Sequence, residues 1–373
     1  MYMKAKLTVL REKYPVVISF ILSALWIGIM LLSAFALQNI PFIAQSKNEY
    51  LGQLLVDLIG TVLGIILLFL FCYQTVFKEK KYGFGKGILT GLYFVVIGLI
   101  AIIANLFLSF FNSLTAGTEV ILSFKPIGYI IIFTLTMFLI GTAEEFTFRG
   151  DIANILFDKY GKSSAGVWFS TIMTGVVFGS MHIFNAINPE ITLFSALIQA
   201  IGAGAIGMTL TAVYYRTRNI WVLVFFHAFI DFGSLFSSGV LGIGSISSAI
   251  GSYSSINLLG SIPYVIVLLV LLRKSKMVEI IGENRQESTK KEKIRLAVVV
   301  STVVLVAMGT FISCFGDKYS QSENVITSFK GTYISQDATH DIIVPDDGNY
   351  QIVMGAEEVT EGCIIDQYFK DAE

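Results

Sequence analysis

Three short stretches set ionisable side chains at helical spacing inside apolar runs. In "GTAEEFTFRG", residues 141–150, Glu145 and Arg149 are four apart and share a helix face. They can form an ion pair, with the acid N-terminal to the base. Glu144 is turned about 100 degrees from that face, so it keeps a carboxylate free to take up and release a proton, as a general base must. In "VVFGSMHIFN" Phe178 precedes His182 by four, which sets an aromatic ring against the imidazole. In "FFHAFIDF" His227 precedes Asp231 by four, so the acid can accept from one ring nitrogen and leave the other for substrate, water or metal. A base, two imidazoles and an orienting acid are sufficient to activate water.

Each piece also has a plainer reading. Arg149 with Glu145 can mark the end of a span, where arginine snorkels to the surface. An intramembrane histidine can be a helix-to-helix hydrogen bond. Asp57 in "LLVDLIG" is read as a structural polar contact and is assigned no role. Two of the chain's three histidines lie in one run of about 90 residues that also holds the glutamate pair, and the third, His340, is in the tail. An ionisable group near mid-bilayer costs about 2.5–3.5 kcal/mol on the gentler scale, so this coincidence favours a functional site.

The elements that position these groups are membrane helices. Of 373 residues, 54% are hydrophobic and 14% charged. Long, nearly uncharged windows follow one another, as in an all-α polytopic membrane protein. Nine transmembrane helices are expected, at about 15–37, 52–77, 87–111, 126–148, 164–185, 192–215, 220–236, 257–272 and 296–315. With the N-terminus cytoplasmic, 21 of the 26 basic residues fall on inner segments and only Lys47, Lys125, Lys318, Lys330 and Lys370 on outer ones. The expected location is the cell membrane, multi-pass. The first span has a basic flank and an "SAFAL" stretch, but its core is long for a signal peptide, and it is read as a retained anchor.

Residues 1–125 are then N-terminal transmembrane helices and 126–236 the membrane core that carries the motifs. Residues 237–272 comprise an outer loop or re-entrant piece and the eighth helix. Residues 273–295 form a charged cytoplasmic linker, too polar to bury a core and expected to be flexible. The ninth helix, 296–315, leads into an acidic tail, 316–373, whose alternating runs and "PDDG" turn suggest a small extracytoplasmic β domain. The "GAGAIG" stretch at 202–207 lets helix backbones approach closely. Cys72, Cys314 and Cys363 imply no disulfide framework, and no phosphate-binding glycine loop or sign of a nucleic-acid partner is present.

"EEFTFR" fits EExxxR, "FGSMH" fits FxxxH and "HAFID" fits Hxxx[N/D], in that order and in successive apolar segments. Over about 126–236 the chain resembles the CPBP family, also called the Abi or CAAX-protease family. That family includes type II CAAX prenyl endopeptidases and bacterial proteins linked to bacteriocin processing or self-immunity. The resemblance implies a membrane-embedded protease acting on a membrane-associated peptide or protein. It implies Glu144 as the water-activating residue, Glu145 and Arg149 as its supports, His182 and His227 as imidazoles holding water or metal, and Asp231 as the group orienting His227. Asp231 stands where many members have Asn, which adds a negative charge. Members are called metalloproteases, so His182 and His227 are candidate ligands of a divalent metal such as zinc. The motifs leave metal-bound water and glutamate alone both open, since neither HExxH nor a cysteine set is present.

A non-proteolytic bacteriocin self-immunity or scaffold protein is the alternative from another class, and an ion-coupled transporter is a third. One geometric tension stands at this stage. His182 lies about 28 Å along a fifth helix that starts at the cytoplasmic face, whereas Glu144 and His227 read as lying near that face. Either "GDIANILFDKYGK" is an embedded helix, or the spans tilt around a wet funnel.

Overall fold

The computed structural model describes residues 2–115, 124–282, 285–323, 332–333 and 342–343. A short N-terminal helix, α1 (Tyr2–Lys13), precedes α2 (Pro15–Gln38), which starts with proline at its first position, where a missing N–H costs nothing. Then come α3 (Tyr50–Leu70), α4 (Leu92–Thr115) and α5 (Ile127–Glu145). The helical path does not end with α5. It continues through one wide π-helical stretch, Phe146–Ile152, into α6 (Ala153–Tyr160), making a single 34-residue apolar helix.

The Ser163 hydroxyl accepts from the Gly166 N–H and starts α7 (Ser164–Met181), which ends in a 3-10 turn, His182–Ile187. Thr192 caps α8 (Leu193–Thr217) in the same way, and Arg218 in left-handed conformation turns the chain directly into α9 (Ile220–Ser234). The last elements of this part are α10 (Ser261–Leu271), α11 (Lys274–Ile281) and α12 (Lys290–Glu323).

Seven helices among the described residues are long and apolar enough to cross a bilayer, or eight if the pair Ser255–Leu271 and Lys274–Ile281, bent by 67°, is one span. The expected count of nine is therefore not reached. The difference lies at α9, which has only 15 residues, and at the bent pair. The second span also stops short of the expected 77, because α3 ends at Leu70 and Cys72 takes a left-handed φ of 64°. The chain is a multi-pass membrane protein: large apolar side chains such as Leu32, Phe35, Ile103 and Leu135 are exposed along the spans, where lipid replaces water as solvent.

Residues 1–310 form one compact unit and 311–373 a second. In the second, two-residue strands Thr332–Tyr333 and Ile342–Ile343 pair antiparallel. One such pair does not establish a β domain, and the rest of the β structure expected over 316–373 lies outside the described residues. The linker 273–295 is more ordered than its polarity suggests. It contains α11, and beyond it the Gln286 N–H donates to the Lys162 carbonyl and the Ser288 hydroxyl accepts from the Ala165 N–H.

The first unit is organised around α5, which packs between α3 and α9, and around the pair α7 and α8. Close approach of backbones decides both contacts. A Cβ on Gly179 of α7 would collide with the Ala200 carbonyl oxygen of α8, and one on Gly141 of α5 would lie 2.9 Å from the Val224 carbonyl oxygen of α9. Of the "GAGAIG" glycines, Gly204 and Gly207 sit in tight contact with α7, while Gly202 has room. Between the helices lies a continuous apolar core that includes Trp26, Leu68, Phe94, Phe148, Phe178, Leu210 and Phe226.

Candidate active site

Glu145 is fully buried, and its Oε1 is the meeting point of two donors. Arg149 Nη1 donates to it at 2.7 Å, the expected i, i+4 pair, and His227 Nδ1 donates to it at 2.6 Å from α9. A carboxylate only accepts, so the proton of this contact is on Nδ1. Arg149 is fixed further by Nη2 donating to the Gly207 carbonyl at 3.2 Å and by stacking of its guanidinium over the Phe178 ring at 4.6 Å. Its burial is complete, which a cation tolerates only when paired and hydrogen-bonded.

The other imidazole nitrogen faces the open side. Glu144 Oε2 lies 3.3 Å from His227 Nε2 without hydrogen-bond alignment, and Asp231 Oδ2 lies 3.6 Å from the same atom. The side chains of Glu144 and Asp231 are 16% and 27% exposed, in contrast to Glu145 and Arg149 at zero. The two adjacent glutamates thus differ: Glu145 is sealed between its partners, and Glu144 is partly exposed. Glu145 holds the ring through Nδ1, and Asp231, expected to orient it, stands on the Nε2 side at 3.6 Å.

Phe178 joins the third piece to the first two. Its ring lies 5.2 Å from the His182 ring, 5.8 Å from the His227 ring and 5.0 Å from Phe148, in each case edge to face rather than stacked. His182 sits where α7 passes into the 3-10 turn and is partly open, like Glu144.

The depth tension is resolved by the 34-residue helix and by a recessed turn. Measured from Tyr160 and Ser164, where the chain passes from α6 to α7, Glu144 is about 24 Å back along one helix and His182 about 27 Å along the next. The turn into α9 lies opposite residues 153 and 154. The Tyr215 hydroxyl donates to the Ala153 carbonyl at 2.8 Å, and Arg218 donates to Asn154 Oδ1 at 3.0 Å. That places the start of α9 about 10 Å inside Tyr160 and His227 about 10 Å deeper still. The recess explains why α9 is short, and it brings all three residues toward one level.

Sequence reasoning missed the contact between Glu145 and His227, and it gave Asp57 no role. Asp57 is 3% exposed on the face of α3 that packs on α5, accepts a hydrogen bond from Gln53 at 2.9 Å and lies within electrostatic reach of Glu144 and Asp231. An apolar helix holding a single buried acid is the signal that pointed to it.

Catalytic zinc takes three protein ligands and leaves one position open. Among the described residues no three His, Cys, Asp or Glu side chains stand together so as to hold a metal ion, and both ring nitrogens of His227 already face carboxylates. The donor set as arranged therefore does not fit a resident divalent metal at His182 and His227, and no step below is routed through one.

Residues 126–233 match the family model of Rce1-like type II CAAX prenyl endopeptidases. This segment runs from α5 to α9 and contains all three motifs, and the match supports its assignment to the CPBP or CAAX-protease family, a family of membrane proteases. No curated protein matches the chain.

Proposed function

We propose that the chain is an intramembrane endopeptidase that hydrolyses a peptide bond of a membrane-associated peptide or protein. A prenylated C-terminal peptide, the substrate class in the family's name, is one member of that class. The observation that carries the reading is the unequal environment of the two adjacent glutamates. Glu145, fully buried, takes both Arg149 and His227 on its Oε1, while Glu144, 16% exposed, is close to an imidazole without being tied to it.

Glu144 is the general base in this mechanism. It takes a proton from water as the water oxygen bonds to the scissile carbonyl carbon, a transfer worth about 10²–10⁴-fold. The carbonyl oxygen becomes an oxyanion, which an N–H of His182 stabilises, or Nε2–H of His227 when that imidazole is protonated; donors aimed at developing charge in a dry site are worth more than in water. The carbon–nitrogen bond then breaks, and Glu144 returns its proton to the leaving amine. Glu145 and Arg149 hold His227 in place, and Asp231 adds negative charge on the side of Nε2. With the N-terminus inside, as the lysines and arginines suggest, this site would lie about 20–27 Å inward of the turn between Tyr160 and Ser164.

The test is cleavage itself. Purified protein in liposomes, incubated with a library of apolar membrane peptides, is expected to yield defined fragments. Proton flux without fragments would favour the transporter reading instead.

A further inference from the structure

The matched segment does not supply every acid at the site. α3 runs parallel to α5, as three contacts in order establish: the Thr136 hydroxyl reaches the Tyr50 carbonyl, Gly60 lies against Ala143, and Gly64 lies against Phe146 and Thr147. Asp57 is three residues before Gly60 and seven before Gly64, so it lies on the same face. Interpolation places it beside α5 about one turn from Glu144, toward the Tyr50 end.

The donors available there do not match the acceptors. Gln53 gives Asp57 one hydrogen bond, to Oδ2. Arg149, the buried cation nearby, gives Nη1 to Glu145, Nη2 to the Gly207 carbonyl and its face to Phe178, and its Nε has no partner. His227 Nε2 lies 3.3 Å from Glu144 and 3.6 Å from Asp231, and among the described residues Asp57 takes its one side-chain hydrogen bond from Gln53. Thr61, one turn from Asp57 on the same face and 8% exposed, has a hydroxyl without any partner. A buried carboxylate with so few donors is a strong acceptor for an incoming cation, because a charge-assisted hydrogen bond in a dry site is about twice as strong as a neutral one.

We propose that Asp57 is a specificity-determining residue of this site: it seats a cationic side chain, lysine or arginine, of the substrate close to the scissile bond and toward the Tyr50 end of α3. The inference rests on the endopeptidase reading above and adds the substrate's charge to it. Gln53 orients the carboxylate, and Thr61 offers a second polar contact on the same face.

The experiment uses full-length protein in liposomes and a 20-residue apolar peptide that the wild type cleaves. The peptide is synthesised with lysine or with norleucine at each of three positions on either side of the cut. At one or more positions the wild type is expected to favour lysine by about tenfold or more in kcat/KM, carried mainly by KM, as one charge-assisted hydrogen bond provides. In Asp57→Asn, which keeps the acceptor for Gln53, the lysine to norleucine ratio should collapse to within about twofold; Asp57→Glu should restore part of it.

A wild type with no preference for lysine at any position overturns the inference. So does a fall in Asp57→Asn that is equal for both peptides, since that is the mark of a structural role. If the wild type cleaves and Glu144→Gln does not, yet Asp57→Asn keeps the full lysine preference, the Asp57 assignment alone fails. If no peptide is cut by any form, the endopeptidase reading and this inference fall together.

Discussion

Glu145 and His227 are 82 residues apart in the chain and meet at 2.6 Å, Oε1 to Nδ1, in a fully buried contact. This one hydrogen bond joins the fourth apolar segment to the seventh and divides the work of the two glutamates. It ties up Glu145 Oε1 and turns the other ring nitrogen toward Glu144.

Arg149 should be the most sensitive scaffold position. Arg149→Met leaves the Glu145 carboxylate buried with only His227, and removing one partner of a buried ion pair costs about 3–5 kcal/mol. A lower thermal midpoint and poor recovery from detergent are expected. Arg149→Lys should rescue only in part, because a single ammonium does not reproduce the fork that reaches both Glu145 and Gly207. Equal stability of the lysine variant and the wild type would contradict this role.

Phe178 should matter beyond its volume. Its ring touches Arg149, His182, His227 and Phe148, so Phe178→Ala opens a cavity worth about 3–5 kcal/mol and frees both imidazoles. Phe178→Leu should fold nearly normally yet lose turnover, and parallel measurement of thermal midpoint and kcat separates the two effects.

Gly141→Ala tests how closely α5 must approach α9. The new methyl would lie 2.9 Å from the Val224 carbonyl oxygen and 3.0 Å from the Ala228 nitrogen, both backbone atoms that cannot move aside singly. Overpacking of this kind costs about 1–3 kcal/mol, and a misplacement near 1 Å at His227 costs about a hundredfold in rate. Full activity in a stable Gly141→Ala protein would count against the described contact.

Asp231 should prove less critical than its motif position suggests. At 3.6 Å from Nε2 it makes no hydrogen bond to His227, so Asp231→Asn should reduce kcat less than about tenfold, whereas His227→Ala should reduce it by about 10² or more. Similar losses in both would restore Asp231 as the group that orients the ring.

Local features were readable from the chain alone, and non-local ones were not. The Glu145 and Arg149 pair follows from spacing on one helix, as does the edge contact of Phe178 with His182. The bond from His227 to Glu145 depends on how α9 packs on α5, which no spacing encodes; i, i+4 reasoning offered Asp231 instead. The π stretch at Phe146–Ile152 leaves no mark in composition, so hydropathy alone ends the apolar run near 148, whereas the helix reaches Tyr160. That shortening produced the apparent mismatch of depths. Asp57 was visible as an acid in an apolar helix, but its neighbours come from another segment.

The central claim is that Glu144 moves the proton while Glu145 holds the frame, and single-turnover cleavage of a membrane peptide by Glu144→Gln in liposomes tests it most directly. The account predicts a fall of about 10²–10⁴-fold with an unchanged thermal midpoint and peptide affinity. Cleavage at the wild-type rate by a folded Glu144→Gln protein would contradict it.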